Sequence, residues 1–196
     1  MPGEDADGES DEVLMLAYAS GDVRAFELLY ARHRQPLFRY RMRHTRQREL
    51  AHDLFQEVWG KLVDSRARYE PRARFQTFLY TIAHHCFIDH CRRSAVRPTS
   101  SSTQADGAEM EWSGPDEDRP EHRAHQDALR VQLRAALDEL PADQRDAFLL
   151  HEEAGLSLEE IADVTGVGRE TVKSRLRYAV AKLRAAMQDL HQGGAS

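Results

Sequence analysis

Cysteine is nearly absent from this chain: Cys86 and Cys91 are the only two in 196 residues, five positions apart. That excludes the disulfide framework that staples small secreted domains. Long apolar runs are missing too. Nothing approaches the roughly eighteen consecutive apolar residues of a membrane span, and the N-terminus is acidic where a secretory signal would be basic and then apolar. A cytoplasmic protein with no membrane insertion is expected. The sequence has no nucleotide-binding glycine loop, no catalytic triad pattern and no paired acid–base motif, which makes an enzyme the poorer expectation and implies no cofactor. Metal chemistry is demoted as well. His84, His85, Cys86, His90 and Cys91 crowd one helix but scatter around it, and His151-Glu152-Glu153 lacks the second histidine of a zincin motif.

What is present is charge, arranged in blocks. The formal net charge of −6 averages over them. Residues 1–23 hold seven acids and no base, whereas residues 24–97 have a net charge of +9. Residues 98–170 stand at −12, and residues 171–196 at +4. Attraction to phosphate requires local positive charge, so two separated basic blocks point to two contacts on one polyanion. Of the 27 basic residues only Lys61, Lys173 and Lys182 are lysine.

The apolar spacing is helical almost throughout. Phe26, Leu29, Tyr30, His33, Leu37 and Tyr40 form one stripe, with Pro36 expected to kink its helix. Leu50, Leu54, Phe55, Val58 and Leu62 form the next, and Phe75, Phe78, Leu79, Ile82, Ala83 and Cys86 a third. A basic loop, SRARYEPRAR (65–74), separates the last two. Residues 97–124 have no period and are rich in Ser, Pro, Gly and acids. A connection of that length reads as a linker between domains. Helical pattern resumes near His125. The expectation is an all-α protein of two small helical domains: a disordered acidic tail over 1–10, a first domain over 11–96, a flexible acidic linker over 97–124 and a second domain over 125–191.

The segment LSLEEIADVTGVGRETVKSRLRYAVAKLR (156–184) fits a helix-turn-helix. Ser157 and Glu160 are spaced as a capping box, and Gly166 falls where the turn needs a left-handed residue. The second helix buries Val172, Leu176, Ala179 and Leu183, so its other face shows Arg169, Glu170, Thr171, Lys173, Ser174 and Arg177, a mostly cationic set suited to a major groove. With LDELPADQRDAFLL (137–150) in front, this region resembles domain four of a bacterial RNA polymerase sigma factor of the extracytoplasmic-function (ECF) class. The resemblance implies −35 promoter recognition, with Lys173, Ser174 and Arg177 at base edges and Arg169 and Arg175 nearer the phosphates. Glu170 stands where that family usually has glycine.

The N-terminal segments GDVRAFELLYARHRQPLFRY (21–40), ELAHDLFQEVWGKL (49–62) and FQTFLYTIAHHCFIDHCRR (75–93) are similar to domain two of the same class. The likeness implies one face for the clamp helices of core polymerase and another for the −10 element, whose non-template strand it holds open. For the clamp the candidates are Asp53, Leu54, Gln56, Glu57 and Trp59. For the −10 element they are Arg68, Tyr69, Arg72, Arg74 and Phe75 in and beside the loop, then His84, His85, Asp89, Arg92 and Arg93 on the helix that follows. Cations interleaved with aromatics suit single-stranded DNA, because cations track the backbone and rings stack on bases. Phe78, where the family often has tryptophan, is assigned to the core, and His85 stands where asparagine is frequent.

The implied partners are core RNA polymerase, through its clamp helices and flap, double- and single-stranded promoter DNA, and an anti-sigma factor. One departure bears on docking. The acidic cluster expected before the clamp-binding segment is thinned here to Leu50-Ala51-His52-Asp53. Hydrophobic contact could compensate, or a phosphate on Thr45 could supply the charge. The alternatives to a sigma factor are a stand-alone helix-turn-helix regulator and a helical adaptor that binds only protein.

Overall fold

The computed structural model describes residues 8–45, 47–96 and 120–193, excluding the side chains of 95, 96, 120–128 and 189–193. The expected linker up to residue 119, and most of the acidic tail, lie outside the described residues. Within them the secondary structure is helical, without a strand. The first group comprises α1 (Asp11–Ala19), α2 (Val23–His44), α3 (Arg48–Ser65) and α4 (Phe75–Val96), with a short 3-10 turn at Arg66–Arg68. The second comprises α5 (Pro120–Asp138), α6 (Ala142–Glu152), α7 (Leu158–Thr165) and α8 (Arg169–Gly193). Residues 120–124, expected in the linker, are the start of α5. Proline suits the first helical position, where its fixed φ is already helical and its missing N–H would have had no partner.

The expected stripes form the core of the first group. Leu29, His33, Leu37 and Tyr40 of α2 are buried, as are Leu54, Phe55, Val58 and Leu62 of α3 and Phe75, Leu79, Ala83 and Cys86 of α4. Helix α2 runs on through Pro36. Aromatic contacts fill the space between α2 and α3: Trp59 meets Phe26 edge-on at 5.7 Å and Tyr30 at 4.9 Å, and Phe38 meets Phe55 edge-on at 5.6 Å. Such pairs add to the area they bury.

Helix α1 fastens this group at a distance in sequence. Ser10 caps it by accepting from the Val13 amide. Asp11 accepts from Arg32 at 2.9 Å and meets His33 Nε2 at 2.7 Å. The bond to His33, then that to Arg32, holds the Asp11 carboxyl below its ordinary value against the opposing effect of burial. Glu12 accepts from the amide of Phe75 at 2.7 Å and thereby caps α4 from another helix. That bond is the main reason its carboxyl also sits below the ordinary value.

In the second group α8 packs on α5, α6 and α7. Its buried residues are Val172, Ala179 and Leu183, with Leu176 half-buried. The two groups are not held apart. Helix α4 packs on α7 and α2 on α6, and the buried apolar residues of both groups form one contiguous cluster.

Candidate nucleic-acid interface

The helix-turn-helix is built by local chemistry. Ser157 Oγ accepts from the Glu160 amide at 3.2 Å, and Glu160 Oε2 accepts from the Ser157 amide at 2.8 Å, which completes the capping box at the start of α7. Gly166 ends α7 at φ +69°, the left-handed conformation that side chains disfavour. Helix α8 then starts at Arg169 and exposes Arg169, Glu170, Thr171, Lys173 and Arg177, with Ser174 half-exposed. Glu170 lies between two cations, 3.5 Å from Arg169 and 3.6 Å from Lys173. The Arg177 guanidinium lies over the Tyr178 ring at 5.0 Å. Arg175, expected near phosphates, instead binds Asp143 and ties α8 to α6.

The basic loop is less open than its sequence implies. Arg68, Arg72 and Arg74 are exposed. Tyr69, expected to stack on bases, is only 8% exposed and packs edge-on against Phe78 at 5.1 Å. Burial raises its hydroxyl to about 12. Phe75, also expected at the DNA, is 0% exposed: its ring packs against His33 at 5.1 Å while its amide donates to Glu12. Phe78, assigned to the core, is half-buried, so it is the less enclosed of the two rings. Along α4, His85, Asp89, Arg92 and Arg93 are exposed. His84 is not free: its Nδ1 lies 2.8 Å from Asp146 of α6.

On α3 the polymerase candidates divide by helical face. Leu54 is 2% exposed and Trp59 6%, so both belong to the core and cannot meet a partner in this arrangement. The helical period explains it: 51, 54, 55, 58, 59 and 62 share one face, and that face is covered by α2 and α4. Asp53 and Gln56 are exposed beside Glu49 and His52, and Glu57 is half-buried in an ion pair with Lys61 at 3.0 Å. Thr45 is buried, and its hydroxyl donates to the Arg41 carbonyl at 3.1 Å, so phosphorylation there would require local opening.

The positions missed by the sequence reading lie where the two groups meet. Asp146 accepts from Tyr40 Oη at 2.6 Å and faces His44 Nε2 at 3.1 Å. Burial alone would raise this carboxyl, but the two histidines hold it far below the ordinary range. Glu153 bridges Arg39 at 2.8 Å and Arg43 at 2.9 Å. Glu160 accepts from Thr77 Oγ1 at 3.1 Å and meets Arg74 at 3.4 Å. These pairs join the −12 block to the +9 block. The charge pattern was the available signal, but it does not say which residues pair.

Comparison with known proteins decides the family. A family model described as "Sigma-70 region 2" matches residues 29–97, and one described as "Sigma-70, region 4" matches residues 130–183. The chain is 32% identical over 176 residues to the RNA polymerase sigma factor CarQ of Myxococcus xanthus, covering 90% of this chain and 97% of that one. It is 31% identical over 173 residues to the ECF RNA polymerase sigma factor SigL of Mycobacterium tuberculosis, covering 88% and 94%. The chain belongs to the ECF class of sigma-70 RNA polymerase sigma factors. It is thus a sigma factor that directs transcription initiation. The fold also matches a solved structure of CnrH in complex with the cytosolic domain of CnrY, at a TM-score of 0.67 and 23% identity, over 92% of this chain and 99% of that one. The sigma factor RpoE of Bartonella quintana, solved with the anti-sigma factor NepR, matches at a TM-score of 0.67 and 22% identity, over 83% and 96%.

Proposed function

We propose that this sigma factor acts in the cytoplasm, catalyses no bond chemistry itself, and contacts promoter and polymerase through three separate surfaces. Residues 11–96 and 120–191 are its two working domains, joined by residues 97–119. The observation that carries the reading is the exposed cationic face of α8, set on its frame by the Ser157 capping box and the left-handed Gly166. On that face Lys173, Ser174 and Arg177 read base edges of the −35 element, and Arg169, Glu170 and Thr171 flank them. Arg68, Arg72, Arg74, His85, Asp89, Arg92 and Arg93 form the surface toward the −10 element, with the cations tracking the strand. Asp53, Gln56 and Glu57 on the outer face of α3 meet the clamp helices of core polymerase, and an anti-sigma factor competes for these surfaces.

The test is reconstituted transcription with core polymerase on the promoter upstream of the chain's own gene. Addition of the protein should give a discrete transcript. Lys173→Ala combined with Arg177→Ala should abolish that transcript while co-purification with core polymerase persists. Failure to bind core polymerase would sink the reading of the α3 surface. A transcript unchanged in the double variant would sink that of α8.

A further inference from the structure

The cations on and beside the recognition face of α8 differ in what holds them. Arg169 pairs with Glu159 and lies 3.5 Å from Glu170. Lys173 lies 3.6 Å from Glu170, and Arg175 pairs with Asp143. Each of these has to loosen a carboxylate before the same donors can serve a phosphate or a base. Arg177 differs from them. Its guanidinium lies over the Tyr178 ring at 5.0 Å, and the described contacts give it no ion pair. Glu152 borders the same hollow as Arg177, beside His151, Leu176 and Val180, yet the two are not joined.

Neighbours in sequence do not meet by default on a helix. Successive side chains leave the axis about 100° apart, so residues at i and i+1 do not face each other. Arg177 and Tyr178 are in contact because both side chains turn toward one another. The core does not fix this ring: Tyr178 is 53% exposed, whereas Ala179 and Leu183 supply buried contacts of the helix. An aromatic face attracts a guanidinium through its quadrupole. Unlike a carboxylate, it leaves the N–H donors in the guanidinium plane for other partners. An arginine that is ordered before binding also has less rotamer freedom to lose when it reaches a base edge.

We propose that Tyr178 is a positioning residue for −35 recognition: its ring is a platform that orders the Arg177 guanidinium while leaving its donors free for a base edge. The use of the platform rests on the base-reading role given to Arg177 under Proposed function; the platform itself does not.

The test uses the full-length chain, free and as holoenzyme. In the free chain, nitrogen relaxation at Arg177 Nε reads the platform. This nitrogen should be ordered in the parent, remain ordered in Tyr178→Phe and become mobile in Tyr178→Leu. Equal order in the two variants would overturn the platform. With holoenzyme, fluorescence anisotropy measures binding to the promoter fragment upstream of the chain's own gene and to the same fragment with its −35 segment scrambled. Tyr178→Leu should weaken binding to the first about two- to fivefold, the size of an exposed cation–π contact, and leave binding to the second near the parent value. Tyr178→Phe, which keeps the ring face, should restore binding to within about twofold of the parent. In an Arg177→Ala background, Tyr178→Leu should add nothing, because the ring then has no guanidinium to order. An equal loss with and without Arg177 would overturn the positioning role and make Tyr178 a contact in its own right. If Arg177→Ala itself leaves promoter binding unchanged, the base-reading role of Arg177 fails and the positioning role with it, while the relaxation result still decides the platform.

Discussion

At the residue scale, a side chain's role follows from which face of its helix is covered. Arg177 is exposed on α8 and free of ion pairs in the described contacts, with its guanidinium resting on Tyr178. If it reaches a base edge, Arg177→Ala should cost about 1–3 kcal/mol on the cognate −35 element and much less on random DNA. Binding titrations on the two duplexes check this, and an equal loss on both would make Arg177 a phosphate contact. Glu12 illustrates the opposite case, a charged residue whose work is structural. Its carboxylate satisfies the Phe75 amide at the first turn of α4. Glu12→Ala should lower stability by about 1 kcal/mol, the usual cost of a lost cap, measured as a shift in the denaturant midpoint. It should also loosen the 69–74 loop, which proteolysis of the native protein would register as faster cleavage there.

At the element scale, the helices were legible because their apolar residues recur with the helical period. The buried sets of α2, α3 and α4 are largely the stripes read from sequence. The turn between α7 and α8 was legible because capping and left-handed conformations favour particular residue types over a few positions. The same local reading failed where covering elements are remote. Leu54 and Trp59 read equally well as a partner surface or as core, and only the packing of α2 and α4 on α3 decides it. Tyr69 and Phe75 sit in a basic segment that looks open, yet α1, more than fifty residues earlier in the sequence, closes over its end through Glu12. Two substitutions test the local devices. Ser157→Ala removes the capping-box acceptor and should cost about 1 kcal/mol. Gly166→Ala meets no neighbouring atom within 4 Å, so its expected cost, roughly 1–2 kcal/mol, is the backbone strain of the left-handed conformation alone. Chemical denaturation should therefore show both midpoints lowered. A neutral Gly166→Ala would mean that the turn can relax without disturbing the recognition helix.

At the scale of the whole molecule, the association of the two groups carries a pH dependence. His44 is buried between the groups, against the rings of Tyr40 and Phe87. Burial lowers the affinity of its imidazole for a proton, Asp146 opposes that, and Arg41 and Arg145 reinforce it, leaving the group below its ordinary 6.5. Asp146, facing His44 and His84, is likewise held below its ordinary 3.8. For both groups the folded state binds fewer protons than the unfolded state in the window just below the ordinary value. Stability is therefore fully present above that value and is lost as pH falls. The His44 contribution begins to fade below pH 6.5, at no more than about 1.4 kcal/mol per pH unit for its one proton. The Asp146 contribution fades only below pH 3.8. Unfolding curves of the full chain at stepped pH from 8 to about 5.5 should lose stability across the lower half of that range. His44→Gln, which retains a donor toward Asp146 but has no proton to bind in this window, should flatten the slope. A slope unchanged by that substitution would show that His44 does not carry the pH dependence.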